Sequence, residues 1–170
     1  FAQDPQSLFG ISLAYMAAFA GVGFYLSRDN RQLVPGGLLT TLAVSMTPIV
    51  GLSWMSLAGG VEMTTSQQFL LEIATIMAGV IALQFVRFPF ITAPIYASLC
   101  FMAMTITNTF GTGLYFLDYN NLVVSMIFGA LVCAIDFVVE KRTREDFSFW
   151  GYFFGLLMLW GAWTFMAIEH

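Results

Sequence analysis

Long apolar runs, separated by short polar stretches, fill most of the chain. A bilayer core of about 30 Å takes roughly 20 helical residues to cross. Six runs reach that length, each behind a helix-start signal. Asp4-Pro5 reads as N-cap and first helical position of a helix over about 5–26. Pro35 opens a second over about 35–58, which Pro48 is predicted to kink. Thr65 with Gln68 forms a capping-box pattern for a third over about 66–87. Thr92, with Pro94 in the first turn, starts a short fourth over about 92–108. Asn120 caps a fifth over about 121–140, and Thr143 with Asp146 opens a sixth over about 146–168. The fold class expected is all-α: a polytopic integral membrane bundle of six transmembrane helices, forming a single transmembrane domain over 1–170.

Composition agrees with the periodicity. Hydrophobic residues make up 59% of the 170 positions and charged residues 9%, where a soluble domain carries about a quarter. A surface that poor in charge has to face lipid or other protein. Six Lys and Arg over the whole length exclude nucleic-acid binding. The chain begins at Phe1 without an initiator Met or a basic leader, and reads as processed or partial.

Six crossings put the first, third and fifth loops on one side of the membrane. Arg28 and Arg31 lie in the first, Arg87 borders the third, and Lys141, Arg142 and Arg144 make the fifth a basic membrane-surface loop. The positive-inside rule assigns that side to the cytoplasm or its organellar equivalent, with both termini facing away. Trp54, Trp160 and Trp163 then fall towards the outer interface and Trp150 towards the inner one, where indoles prefer to sit.

Two charges interrupt LEIATIMAGVIALQFVRFPF, residues 71 to 90. Glu72 lies about 9 Å into its helix. It shares a face with Gln68, Thr75 and Gly79, and a carboxylate turned to lipid is costly, so this face is expected to point inward. Thr105, Thr107 and Asn108 are candidate hydrogen-bond partners for it. Glu72 reads as polar glue between helices, as part of a proton or solute pathway, or as a cofactor ligand. Arg87 sits at the inner end of the same helix, and Asp136 lies at similar depth on the fifth. Each lacks another partner, so an inner-rim ion pair Arg87–Asp136 is expected. Ser125, Gly129, Cys133 and Asp136 form a small or polar stripe on the fifth helix, Ala14, Ala17, Ala18 and Gly21 another on the first, and Gly151 with Gly155 a GxxxG on the sixth. Such stripes let backbones approach closely.

Catalytic and metal signatures are missing. Cys100 and Cys133 lie mid-run without metal-ligand spacing and read as small hydrophobes. The one His is His170, so a bis-His haem within the bundle is excluded. GGLLTT after Pro35 lacks the lysine of a phosphate loop.

Three stretches, VPGGLLTTLAVSMTPIVGL (34 to 52), LEIATIMAGVIALQFVRFPFITAPI (71 to 95) and KRTREDFSFWGYFFGLLMLWGAW (141 to 163), resemble a mainly bacterial family of uncharacterised multi-pass membrane proteins, a domain of unknown function. The resemblance implies a polytopic helical protein with Glu72, Arg87 and the Arg144-Glu145-Asp146 loop inside the family pattern. It implies no activity.

The function expected on these grounds is that of a non-catalytic accessory subunit in a larger membrane complex of respiratory or photosynthetic type. The alternative is a small transporter or channel using Glu72, and a weaker one a pigment- or lipid-binding subunit. No enzymatic activity, metal or cofactor is expected. The partners are the bilayer, structural lipids and other membrane subunits, with pigment a further option. The location is a bacterial inner membrane or an organellar energy-converting one.

Overall fold

The computed structural model describes residues 4–29, 32–59, 64–110, 119–142 and 148–168. Among these every regular element is helical: α1 (Pro5–Ser27), α2 (Leu33–Ser45), α3 (Thr47–Leu57), α4 (Thr65–Phe85), a 3-10 turn (Pro89–Ile91), α5 (Thr92–Phe110), α6 (Tyr119–Arg142) and α7 (Phe149–Ile168). With α2 and α3 taken together, six spans are long and apolar enough to cross a membrane. The all-α, multi-pass reading is what the residues build.

The helix boundaries follow local chemistry and correct several expectations. Pro5 occupies the first helical position, yet the Asp4 side chain makes no cap; Ser7 Oγ donates to the Asp4 carbonyl at 2.7 Å instead. The second span starts at Leu33 rather than Pro35 and breaks between Ser45 and Thr47, because Pro48 has no N–H to continue the ladder. Gly59, at φ 82°, sits just past the end of α3, in the left-handed region that glycine enters without a Cβ penalty. The capping box of α4 is Thr64 with Gln67, one residue ahead of the expected pair. Asn120 lies inside α6, which begins at Tyr119. Thr143 and Asp146 fall outside the described residues.

The chain divides into two units, Phe1–Ile95 and Tyr96–His170, with the boundary inside α5. In the N-terminal unit α1 runs antiparallel to the α2–α3 span. Phe9 meets Trp54 at one end (5.3 Å between ring centroids), and Phe24 meets Phe85 of α4 at the other (6.0 Å). α1 and α2 come close where a Cβ on Gly23 would lie 2.7 Å from Thr40 Oγ1, and one on Gly36 would lie 2.6 Å from Ser27 N.

The core of this unit is the FVRFPFI turn. Backbone in the extended region at Val86 and Phe88 alternates side chains. Val86 (2% exposed) and Phe88 therefore go in and join Val44 and Ile91, while Arg87 between them is exposed. The Phe88 ring occupies the space that a side chain on Gly37 would need.

In the C-terminal unit α6 and α7 pack antiparallel along the stripes singled out in the sequence. A Cβ on Gly129 would lie 2.7 Å from the Gly155 carbonyl, and one on Gly155 would lie 2.6 Å from Cys133 Sγ. Near the Gly151 end, Tyr152 Oη donates to Glu140 at 2.8 Å. The α1 stripe behaves differently: Ala14, Ala17, Ala18 and Gly21 are all exposed, and Gly23 is the one buried residue of that helix.

Candidate functional site: a buried carboxyl between helices

Asp136 is the one fully buried ionisable side chain among the described residues, with 0% of its surface exposed. Its position follows from the α6 stripe. Three residues after Cys133, it points at α7 where Gly151 offers no side chain. The carboxyl group lies where a Gly151 Cβ would be, so any other residue at 151 collides with it. The Tyr96 hydroxyl, in the first turns of α5, donates to Oδ1. Oδ2 is buried and has no hydrogen-bond partner. One carboxyl thus touches three helices.

Such a group is expensive in an apolar surrounding unless it is neutral or hydrogen-bonded. The phenol satisfies one oxygen. The other is poised as the site of a proton, since a protonated oxygen needs no cation beside it. The arrangement can hold or exchange a proton, and it can pin α5 to the α6–α7 pair.

The expected partner for Asp136 was Arg87. That pairing joins residues of different units. The N-terminal unit holds Arg87 as an exposed guanidinium, and the C-terminal unit holds Asp136 as a buried carboxyl bonded to the Tyr96 phenol. Tyr96 carries no charge, so charge alone does not point to it as a partner for Asp136. The usable signal was Tyr96 itself, a polar-tipped residue in the first turns of an apolar helix.

The Glu72 face of α4 points inward as its pattern requires. Thr75 is 3% exposed and Gly79 is buried, Gln68 and Glu72 are half-buried, and Glu72 Oε2 is closed off from the surface. Ile73, Met77 and Val80 on the opposite face are exposed. The Thr75 hydroxyl donates to the Leu71 carbonyl at 2.8 Å, and Thr105 to the Phe101 carbonyl at 3.0 Å. Both are back-bonds within the residue's own helix, a common resting place for a membrane threonine. The side chains of Thr107 and Asn108 fall outside the described set, though both residues lie in α5.

Of the basic loop, Lys141 is exposed with its ammonium 4.4 Å from the Phe137 ring. Arg142 ends α6 with its side chain outside the described residues, as is all of Arg144. Cys100 and Cys133 are free thiols, both half-buried. No group of three or more His, Cys, Asp or Glu comes together among the described residues. Set against known proteins, the chain matches no family model, no curated protein and no solved structure.

Proposed function

We propose that the chain is a non-catalytic membrane subunit that packs against other membrane proteins in a larger assembly of respiratory or photosynthetic type. One observation carries this reading. The small-residue stripe of α1 (Ala14, Ala17, Ala18, Gly21) lies exposed, while the comparable stripes of α6 and α7 are filled by each other. A Cβ on Gly21 would meet nothing within 4 Å. Lipid tails give no reward for small side chains, whereas a neighbouring helix does, because small residues allow backbone contact. A partner helix is the natural occupant of that face.

The proposed location is a bacterial inner membrane or an organellar energy-converting membrane, with Arg28 and Arg87 on the cytoplasmic or equivalent side. Their support is position: Phe24, beneath Arg28, pairs with Phe85, two residues before Arg87, so both cations cap one end of the N-terminal unit. Solubilising native membranes in a mild detergent and sizing the particle tests the assembly. A particle with other polypeptides in fixed ratio supports it. A chain running alone, or only with copies of itself, removes it.

A second reading, proton-linked transport through an intramembrane carboxyl, draws on the unbonded Oδ2 of Asp136 and the enclosed Oε2 of Glu72. In proteoliposomes under an imposed pH gradient, this reading expects a proton flux that Asp136→Asn or Glu72→Gln abolishes. Equal flux from wild type and both variants discards it.

A further inference from the structure

The N-terminal unit contains a groove of about 420 Å³ between α1, α2 and α4. Five of its thirteen lining residues are alanine (Ala17, Ala20, Ala43, Ala78 and Ala82), and all but Thr40 and Thr47 are apolar. The one hydroxyl on its α2 wall, that of Thr40, donates to the Gly36 carbonyl at 2.9 Å and leaves a methyl to line the space. At about 30 Å³ for each water-sized group, the groove holds roughly fourteen such groups, the bulk of most of one acyl chain. Along α1 the lining runs from Met16 to Phe24, about 12 Å at 1.5 Å per residue.

One end of the groove is charged. The Phe24 and Phe85 rings close it at 6.0 Å from each other. The Arg28 guanidinium stands 5.0 Å from the Phe24 ring. Arg87 follows Phe85 by two residues, and the extended backbone that buries Val86 and Phe88 turns it outward. Asp29 is the acidic residue of the same turn, so this end carries two exposed guanidiniums and one carboxylate among the described residues. A hydrocarbon-lined groove ending in surplus positive charge, at the end of membrane-length helices, has the polarity of a lipid read from tail to headgroup.

We infer that this groove is a binding site for an anionic glycerophospholipid, with one acyl chain between α1, α2 and α4 and the phosphate headgroup at Arg28 and Arg87. The site needs only the N-terminal unit, and it shares one residue, Ala17, with the α1 stripe assigned above to a partner helix, so the lipid and that helix would lie side by side.

The test uses the full chain, stripped of lipid in detergent and given phosphatidylglycerol or phosphatidylcholine with identical acyl chains. Retained lipid is read by native mass spectrometry. Wild type is expected to hold one phosphatidylglycerol in preference to phosphatidylcholine. A basic side chain at a membrane surface is worth roughly fivefold in binding an anionic lipid, so Arg28→Gln with Arg87→Gln should cut the preference by about twenty-five-fold. Ala82→Phe, which fills the groove, should lower retention of both lipids. Ala20→Phe narrows the groove from an exposed position and serves if Ala82→Phe does not fold. Lys141→Gln, in the other unit, should change nothing. Equal retention of the two lipids by wild type overturns the inference, as does a preference that survives the double Arg variant. Undiminished retention in the groove-filling variant also overturns it, pointing to an annular lipid or a different apolar ligand.

Discussion

In the N-terminal unit, helices meet through backbone and aromatic rings: Gly23 against Gly36 and Thr40, Phe24 against Phe85, Phe88 over Gly37. In the C-terminal unit, α6 and α7 meet around an acid, Asp136, seated on Gly151 and bonded to Tyr96. The span around the acid, Leu122–Lys141, is the most hydrophobic of the six at a mean hydropathy of 2.6, so low hydrophobicity does not account for the difference. Within lipid there is no water to drive apolar surfaces together, and association rests on close packing or on hydrogen bonds between helices. The first unit relies on packing and leaves an alanine-lined groove as the residue of an imperfect fit. The second closes its seam with a polar anchor. Glycine serves both, by admitting backbone at Gly23 and Gly129, a ring at Gly37 and a carboxyl at Gly151.

The largest expected effect tests the anchor. Gly151→Ala drives a methyl into the Asp136 carboxyl and should destabilise the C-terminal unit by ~2–3 kcal/mol, the upper range for overpacking. In an Asp136→Ala background the same change should cost under ~1 kcal/mol, because the obstructing group is gone. Reversible unfolding in mixed micelles reads both; equal losses in the two backgrounds would show that the glycine is needed for another reason.

Next comes the backbone crossing of the first unit. Gly23→Ala places a Cβ 2.9 Å from the Thr40 backbone nitrogen, which cannot rotate aside, and should cost about 2 kcal/mol in the same assay. A smaller effect is expected of Tyr96→Phe. It removes the donor to Oδ1, and membrane hydrogen bonds between helices average ~0.6 and reach ~1.7 kcal/mol, so a loss near 1 kcal/mol is expected. A loss above ~3 kcal/mol would mean that the phenol also holds α5 in place. Smallest of all for stability is Gly21→Leu, which points into open space and should stay within about 0.5 kcal/mol of wild type. Its effect should fall on the size of the detergent-extracted particle, which shrinks if α1 carries the partner helix.

The spans were legible in the sequence because twenty-residue apolar runs have few other uses. The inward turn of the Glu72 face and the small or polar stripes of α6 and α7 follow from helical periodicity, and the break in the second span follows from the N–H that Pro48 lacks. What periodicity cannot supply is which helix a face meets. Charge and depth point from Asp136 to Arg87, and nothing in the pattern points to Tyr96, whose hydroxyl bonds Asp136 from forty residues away on a helix whose rotation no local pattern fixes. Gly23 and Gly36 were passed over for a similar reason. A lone glycine marks a close approach only once its opposite number is known. The alanine stripe of α1 shows the converse: its spacing is plain in the sequence, and in the structure the stripe lies exposed.

The interruption at Met46 has a geometric result. Leu33–Leu57 is 25 residues long, about 38 Å if drawn straight, against a hydrocarbon thickness of about 30 Å. A rigid rod of that length would have to tilt or push apolar ends into the headgroups. Two shorter rods meeting at Met46 need not share one axis, so the excess length can be taken up by a change of direction within the crossing.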